Sequence, residues 1–171
     1  MILKFNEHSP LLDETSFVAE GAVIIGNVRI GKNSSIWYNS VLRGDVAAII
    51  VGDNSNIQGL SAIHCDKGTD VKIGDNVTVG HGAILHSCTI GNNSLVGMGA
   101  IVLSNTVIGS NCLIGAGSLV TPGTVIPDGC LALGNPAKIK RRLTEDEIRD
   151  MTKNSHNYLT LSNEHRQNEP M

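Results

Sequence analysis

The sequence predicts an all-β solenoid, a parallel β-helix of stacked triangular coils ending in one C-terminal α-helix. Three observations carry that prediction. Aliphatic residues recur every six positions, in the downstream run a small residue follows each of them four positions later, and the chain of 171 residues holds 19 glycines but only 3% aromatic residues. A chain of this length is read as one domain with enough residues to bury a core, and the shortage of rings means that something other than Phe, Tyr and Trp fills it.

The period sets the elements. Val18, Ile24, Ile30, Ile36 and Leu42 form one run, and Ile90, Val96, Val102, Ile108, Ile114, Val120 and Ile126 form another. Four residues after the second set stand Ser94, Ala100, Thr106, Cys112, Ser118, Thr124 and Cys130, while Gly91, Gly97, Gly109 and Gly115 follow an aliphatic residue directly. A helix needs contacts at three, four and seven residues and loses roughly 1 kcal/mol at each interior glycine. Short strands joined by tight corners fit instead: three hexapeptides make a coil of about 18 residues, and coils stack at roughly 4.8 Å so that each buries its neighbour. Cys88, Cys112 and Cys130 fall on the small-residue phase and are read as buried filler, whereas Cys65 is out of phase and stays open.

Two irregularities interrupt the repeat. After Ile57 and Ile63 the polar segment 65–70 is expected to loop out of a corner before the repeat resumes at Ile73, and the step from Leu85 to Ile90 is five residues instead of six. Both flank histidines, and departures from a strict register are where function is expected. Beyond Pro136 the basic residues Lys138, Lys140, Arg141 and Arg142 are read as leaving the solenoid on a solvated approach to a helix. Thr144 followed by Glu147 is a capping-box signature, so the helix is placed from 144 to about 164. Residues 1–142 are thus assigned to the solenoid and 143–171 to a helix and tail packed on it.

The formal net charge of −3 gives no broad basic surface for nucleic acid or anionic membrane. No apolar run approaches the roughly 20 residues of a membrane span, and no secretory leader is read at the N-terminus, so a cytoplasmic location is expected. The four cysteines have neither disulfide-framework nor zinc-knuckle spacing.

Of six histidines, His8, His156 and His165 lie in terminal polar contexts and receive no role. His64, His81 and His86 differ. Three neutral imidazoles bind a borderline divalent cation and leave a fourth position for water, the arrangement of a catalytic site. His64 and His81 are about one coil apart and His81 and His86 lie on about one face, so convergence on one ion asks for a ligand from a neighbouring subunit and hence a trimer of parallel prisms. Spacing alone leaves open the plainer alternative of three unrelated surface or packing histidines.

Arg43-Gly44-Asp45, Asn56-Ile57-Gln58, Ile63-His64, the run from Val79-Gly80-His81-Gly82 through His86 to Gly91, and Gly97-Met98-Gly99 resemble the γ-class carbonic anhydrase family of hexapeptide-repeat proteins, over residues 10 to 142. The resemblance implies a left-handed helix and a homotrimer with three zinc sites, iron(II) or cobalt being alternatives. It assigns His64 and His86 to one subunit and His81 to the next. It implies hydration of CO2 to bicarbonate by hydroxide from a metal-acidified water, with Gln58 orienting that hydroxide, Asn56 nearby, Tyr158 of the terminal helix near the pocket, and Arg43 with Asp45 organising the subunit contact. Arg43 and Asp45 also admit the reading of an ordinary surface ion pair.

The chain departs from the family twice. Gly59 followed by Leu60 stands where the family has Asp after the Gln, removing a carboxylate expected near Arg43, and residues 45–51 contain neither Glu nor His to relay protons. Two other functions therefore stay open: a hexapeptide-repeat acyltransferase using coenzyme A thioesters with one His as general base, and a non-catalytic trimeric scaffold.

Overall fold

A computed structural model describes residues 1–168 and shows a left-handed parallel β-solenoid of about 7 turns followed by one helix. Three ladders of strands form the faces of the prism. The first runs through Val41–Val51, Ala62–His64, Ile84–His86, Ile101–Val102 and Leu119–Val120. The second continues from the far half of Val41–Val51 through Val71–Ile73, Thr89–Ile90, Val107–Ile108 and Val125–Ile126. The third stacks Phe17–Val18, Ser35–Ile36, Asn56–Ile57, Thr78–Val79, Leu95–Val96 and Leu113–Ile114. Two long strands, Val23–Ile30 and Val41–Val51, round the corner between the first two faces.

The six-residue anchors form the core as the pattern requires. Leu42, Ile63, Leu85, Val102 and Val120 lie opposite one another in consecutive coils, and all are at most 1% exposed. Burying such a side chain is worth about 1.5–3 kcal/mol. The small residues between anchors bridge coils. The Ser94 hydroxyl donates to the Gly109 carbonyl at 2.8 Å and accepts from the Cys112 N–H at 3.0 Å, and one coil on the Cys112 thiol donates to the Pro127 carbonyl at 3.1 Å. Cys88, Cys112 and Cys130 are buried, as their phase indicates; Cys65 also belongs to the core, with its thiol 3.4 Å from the Ala48 carbonyl.

Corners between the second and third faces use a motif that periodicity did not reveal. Asn33, Asn54, Asn76, Asn93 and Asn111 all take φ between 55° and 57° there, and asparagine tolerates that region better than most residues. The residue before each reaches a neighbouring coil: Asp53 accepts from the Lys32 N–H, Asp75 from the Asp53 N–H, each at 2.8 Å.

The strands depart from expectation at two places. Gly26 pairs with Gly44 and Val28 with Ile49, so residues 45–48 bulge from the strand Val41–Val51, a third break in the repeat beside Arg43. The basic segment does not leave the solenoid: Ala137–Arg142 pairs antiparallel with Cys130–Gly134 and closes the end of the third face. Pro136 permits this by occupying the reversal with Gly134 and Asn135. At the other end Ile2–Leu3 and Leu11–Leu12 pair with Val23–Ile30.

The helix spans Glu145–Gln167, longer than its pattern indicated, and Thr144 and Glu147 form the capping box. It lies against the third face. Trp37 is the hub of that seam, its ring 5.4 Å from Phe17, 5.4 Å from Tyr158 and 5.0 Å from His165, all edge to face. Four of the five aromatic residues, Phe17, Trp37, Tyr38 and Tyr158, therefore lie outside the prism where helix meets coil. His165, given no role from sequence, has one here, since its Nδ1 meets the Tyr38 hydroxyl at 2.8 Å.

Candidate metal centre

Alternation along the first face decides which side chains point outward. With Leu42, Ile63 and Leu85 inside, the next residues Arg43, His64 and His86 face out, and the ladder sets Arg43 opposite His64 and His64 opposite His86. His64 Nδ1 lies 3.2 Å from His86 Nε2. The other ring nitrogens are held from behind. His64 Nε2 meets Asp45 Oδ1 at 3.0 Å, and the second oxygen of Asp45 accepts from Arg43. His86 Nδ1 meets Ser104 Oγ at 3.1 Å, and that hydroxyl donates to Asp66 Oδ2 at 2.6 Å. The bulge at residues 45–48 swings the Asp45 carboxylate back toward His64.

The charges suit these contacts. Partial burial works to raise the Asp45 pKa, but hydrogen bonds from Arg43 and His64 outweigh it and hold the carboxyl below the usual range. The Ser104 hydroxyl, with smaller help from His86, likewise keeps Asp66 below its ordinary value.

Asn56, Gln58, His81 and Tyr158 gather elsewhere. His81 sits in the turn Gly80-His81-Gly82 that enters the first face, at the opposite end of the strand Ile84–His86 from His86. Gln58 is nearly buried and fixed at both ends: its Oε1 accepts from the His81 N–H at 3.2 Å and its amide donates to Asn56 Oδ1 at 3.2 Å. Asn56 donates in turn to Thr78 Oγ1 at 2.9 Å. Gln58, His81 and Tyr158 line a groove of about 370 Å³ that runs past Leu95 and Met98 under the helix. Burial pushes the Tyr158 phenol up.

The expected site residues thus fall into two separate groups within one chain. His81 lies in the turn before the strand Ile84–His86 and His86 at the far end of that strand, and among the described residues no three His, Cys, Asp or Glu side chains converge. The expected donors nonetheless fit a cation: two imidazole nitrogens at 2.0–2.1 Å in tetrahedral geometry would be about 3.3 Å apart, and His64 Nδ1 and His86 Nε2 are 3.2 Å apart.

Gly59 lies directly below His81 in the stack, where the Gly82 N–H donates to the Gly59 carbonyl. A Cβ on Gly59 would be 3.8 Å from His81 Nδ1 and 3.0 Å from the Tyr38 carbonyl oxygen. The missing carboxylate would therefore stand beside His81 of its own chain, while Arg43 has Asp45 as its partner. Sequence reasoning overlooked Ser104, Asp66 and Thr78; only the break at 65–70 hinted at Asp66, and Ser104 carries no mark in the repeat.

Residues 87–122 match the family model described as Bacterial transferase hexapeptide (six repeats). The chain is similar to a probable carbonic anhydrase of Methanocaldococcus jannaschii, 53% identical over 145 residues that make up 85% of this chain and 91% of that protein. It is 46% identical over 166 residues to gamma carbonic anhydrase 2, mitochondrial, of Arabidopsis thaliana, covering 93% of this chain but spanning only 59% of the plant protein. Among solved structures, a putative acetyltransferase of Bacillus cereus matches with a TM-score of 0.96 at 41% identity, over 98% of this chain and 97% of that one.

Proposed function

Because the chain belongs to the γ-class carbonic anhydrase family of hexapeptide-repeat proteins, we propose that it hydrates CO2 to bicarbonate at a divalent metal shared between neighbouring subunits of a homotrimer. The observation that carries this reading is the division of the site: His64 and His86 present two facing nitrogens at 3.2 Å, and His81 stands with Gln58 at the opposite corner of the same face. Each half lacks what the other has, and a cyclic arrangement of parallel prisms brings unlike halves together. The exposed side chains of the first face, Val41 and Ile84 among them, give that contact an apolar surface.

Zinc, or iron(II) or cobalt(II) in its place, supplies the Lewis acidity that lets water ionise near neutral pH. The chain's own groups do the rest. Asp45 holds one proton of His64 and steadies Arg43 at the rim. Gln58 spends its oxygen on the His81 N–H and one N–H on Asn56, which leaves the other N–H to direct the attacking oxygen, and the chain from Asn56 to Thr78 keeps that amide from rotating. Tyr158 and the apolar groove wall exclude bulk water from the side where CO2 arrives. Without Glu or His in residues 45–51, protons leave directly to solvent, so turnover is expected to be modest.

The test is metal per chain in protein purified without chelator, beside His81→Ala, followed by CO2 hydration. About one equivalent per chain, lost in the variant, with hydration by the wild type, supports the reading. A wild type that takes up neither zinc nor iron defeats it. The acyltransferase alternative draws on one observation, the apolar groove past Leu95, Met98 and Leu113 that opens on His81, and predicts coenzyme A binding by metal-free protein.

A further inference from the structure

The two irregularities of the repeat that flank the histidines interlock. The turn at 66–69 is clasped by the bridge between Asp66 and Thr69. Ser87, immediately after His86 and inside the shortened step from Leu85 to Ile90, accepts from the Asp66 N–H at 2.5 Å and donates to the Thr69 carbonyl at 3.2 Å. Ser87 takes φ of 45°, outside ordinary strand geometry, and is almost fully buried. The extra residues of one coil are thus pinned onto the missing residue of the next, and the pin sets the Asp66 carboxylate 2.6 Å from the Ser104 hydroxyl.

The direction of each hydrogen bond then follows. An ionised carboxylate only accepts, so the single hydroxyl proton of Ser104 goes to Asp66. Ser104 Oγ is left with lone pairs, and His86 Nδ1, 3.1 Å away, must be the nitrogen that carries the proton. His86 Nε2 is therefore the unprotonated nitrogen, and it is the one that faces His64. On the other side Asp45 accepts from His64 Nε2, so that in the neutral ring Nδ1 is the nitrogen with the lone pair. In neutral rings two lone pairs then face each other across 3.2 Å, a spacing that a shared proton or a metal cation between them satisfies.

We propose that Ser104 and Asp66 are positioning residues for the metal centre, a hydroxyl-relayed arm that fixes the tautomer of His86 and presents its Nε2 beside Nδ1 of His64. This rests on the metal reading above. The two ligands are then supported asymmetrically: His64 by a carboxylate directly, His86 by a carboxylate through a hydroxyl supplied by the following coil. Partners of this kind typically contribute 10–100-fold to metal affinity.

The experiment uses the full chain and measures Zn2+ affinity by competition with a chromophoric chelator, the visible spectrum of the Co2+-substituted protein, and melting of the metal-free protein. Ser104→Ala is expected to bind Zn2+ about 10–100-fold more weakly and to shift the Co2+ bands. Ser104→Thr, which keeps the hydroxyl, is expected to restore both, and Asp66→Ala to move both in the direction of Ser104→Ala. Melting of the metal-free variants should stay near wild type, separating ligand positioning from fold stability. If Ser104→Ala matches the wild type in affinity and spectrum, or if Ser104→Thr is no better than Ser104→Ala, the positioning role is overturned while the metal reading stands. A wild type that binds no Zn2+ overturns both.

Discussion

The glycines on either side of His81 offer a sharp test of how the coils stack, because alanine would fail at each for a different reason. A Cβ at Gly80 would lie 2.6 Å from the Met98 nitrogen and 2.9 Å from the Val96 carbonyl oxygen, both backbone atoms of the next coil. Those atoms cannot retreat, since the Gly80 N–H donates to that same Val96 carbonyl at 2.8 Å. Overpacking typically costs 1–3 kcal/mol, and with the backbone on both sides fixed the upper end, about 3 kcal/mol, is expected. At Gly82 no atom lies within 4 Å of the added Cβ, but φ is +66°. An L-residue there pays about 1–2 kcal/mol for the left-handed conformation and recovers about 0.4–1 kcal/mol from a less flexible unfolded chain, a net loss near 1 kcal/mol. At about 2–4 °C per kcal/mol for a chain of this size, Gly82→Ala should lower the melting temperature by about 3 °C and Gly80→Ala by about 9 °C. Thermal unfolding followed by circular dichroism, with urea midpoints as a check, reads both. If the two variants melt within about 2 °C of each other, the close approach of the coils at this corner is wrong.

Two further outcomes are expected. Glu147 is held down to about 2 by Arg141 first and then by the Thr144 N–H; its folded pKa lies below its unfolded value of 4.5, so its contribution is complete above about pH 4.5 and disappears as pH falls toward 2, and Arg141→Ala should flatten helix melting across that window. Trp37→Ala removes the hub of the helix seam and should cost about 3–5 kcal/mol, with amide exchange rising first across Glu145–Gln167; uniform exchange over coils and helix alike would refute a seam that opens separately.

The repeat made the solenoid readable because one large side chain must enter the prism at each six-residue step, and nothing else produces that spacing from Ile90 to Ile126. The corners were less visible. Asn54 and Asn76 carry the left-handed turn where attention to glycine alone missed it. The bulge at residues 45–48 escaped notice because Ile49 and Val51 both look like anchors, and the antiparallel strand Ala137–Arg142 escaped because a basic sequence carries no period. In the candidate site, ladder register alone suffices to set His64 opposite His86 and to keep His81 apart from them. Ser104 and His165 act through contacts with residues distant along the chain, and neither spacing nor composition encodes such a meeting.

The reversed strand at the end of the third face has a consequence for how the molecule behaves in company. A parallel solenoid ends in a rim of unpaired N–H and C=O groups, an invitation for another chain to add its own coil and grow a fibre. Ala137–Arg142 spends the hydrogen bonds of Cys130–Gly134 on a segment of opposite polarity, so an incoming strand meets the wrong pattern on that face. The exposed Lys138, Lys140, Arg141 and Arg142 line the new edge, and the same end of a second molecule would be repelled by their charge. The stack is built from a unit that can repeat indefinitely, and this short hairpin gives it a last coil.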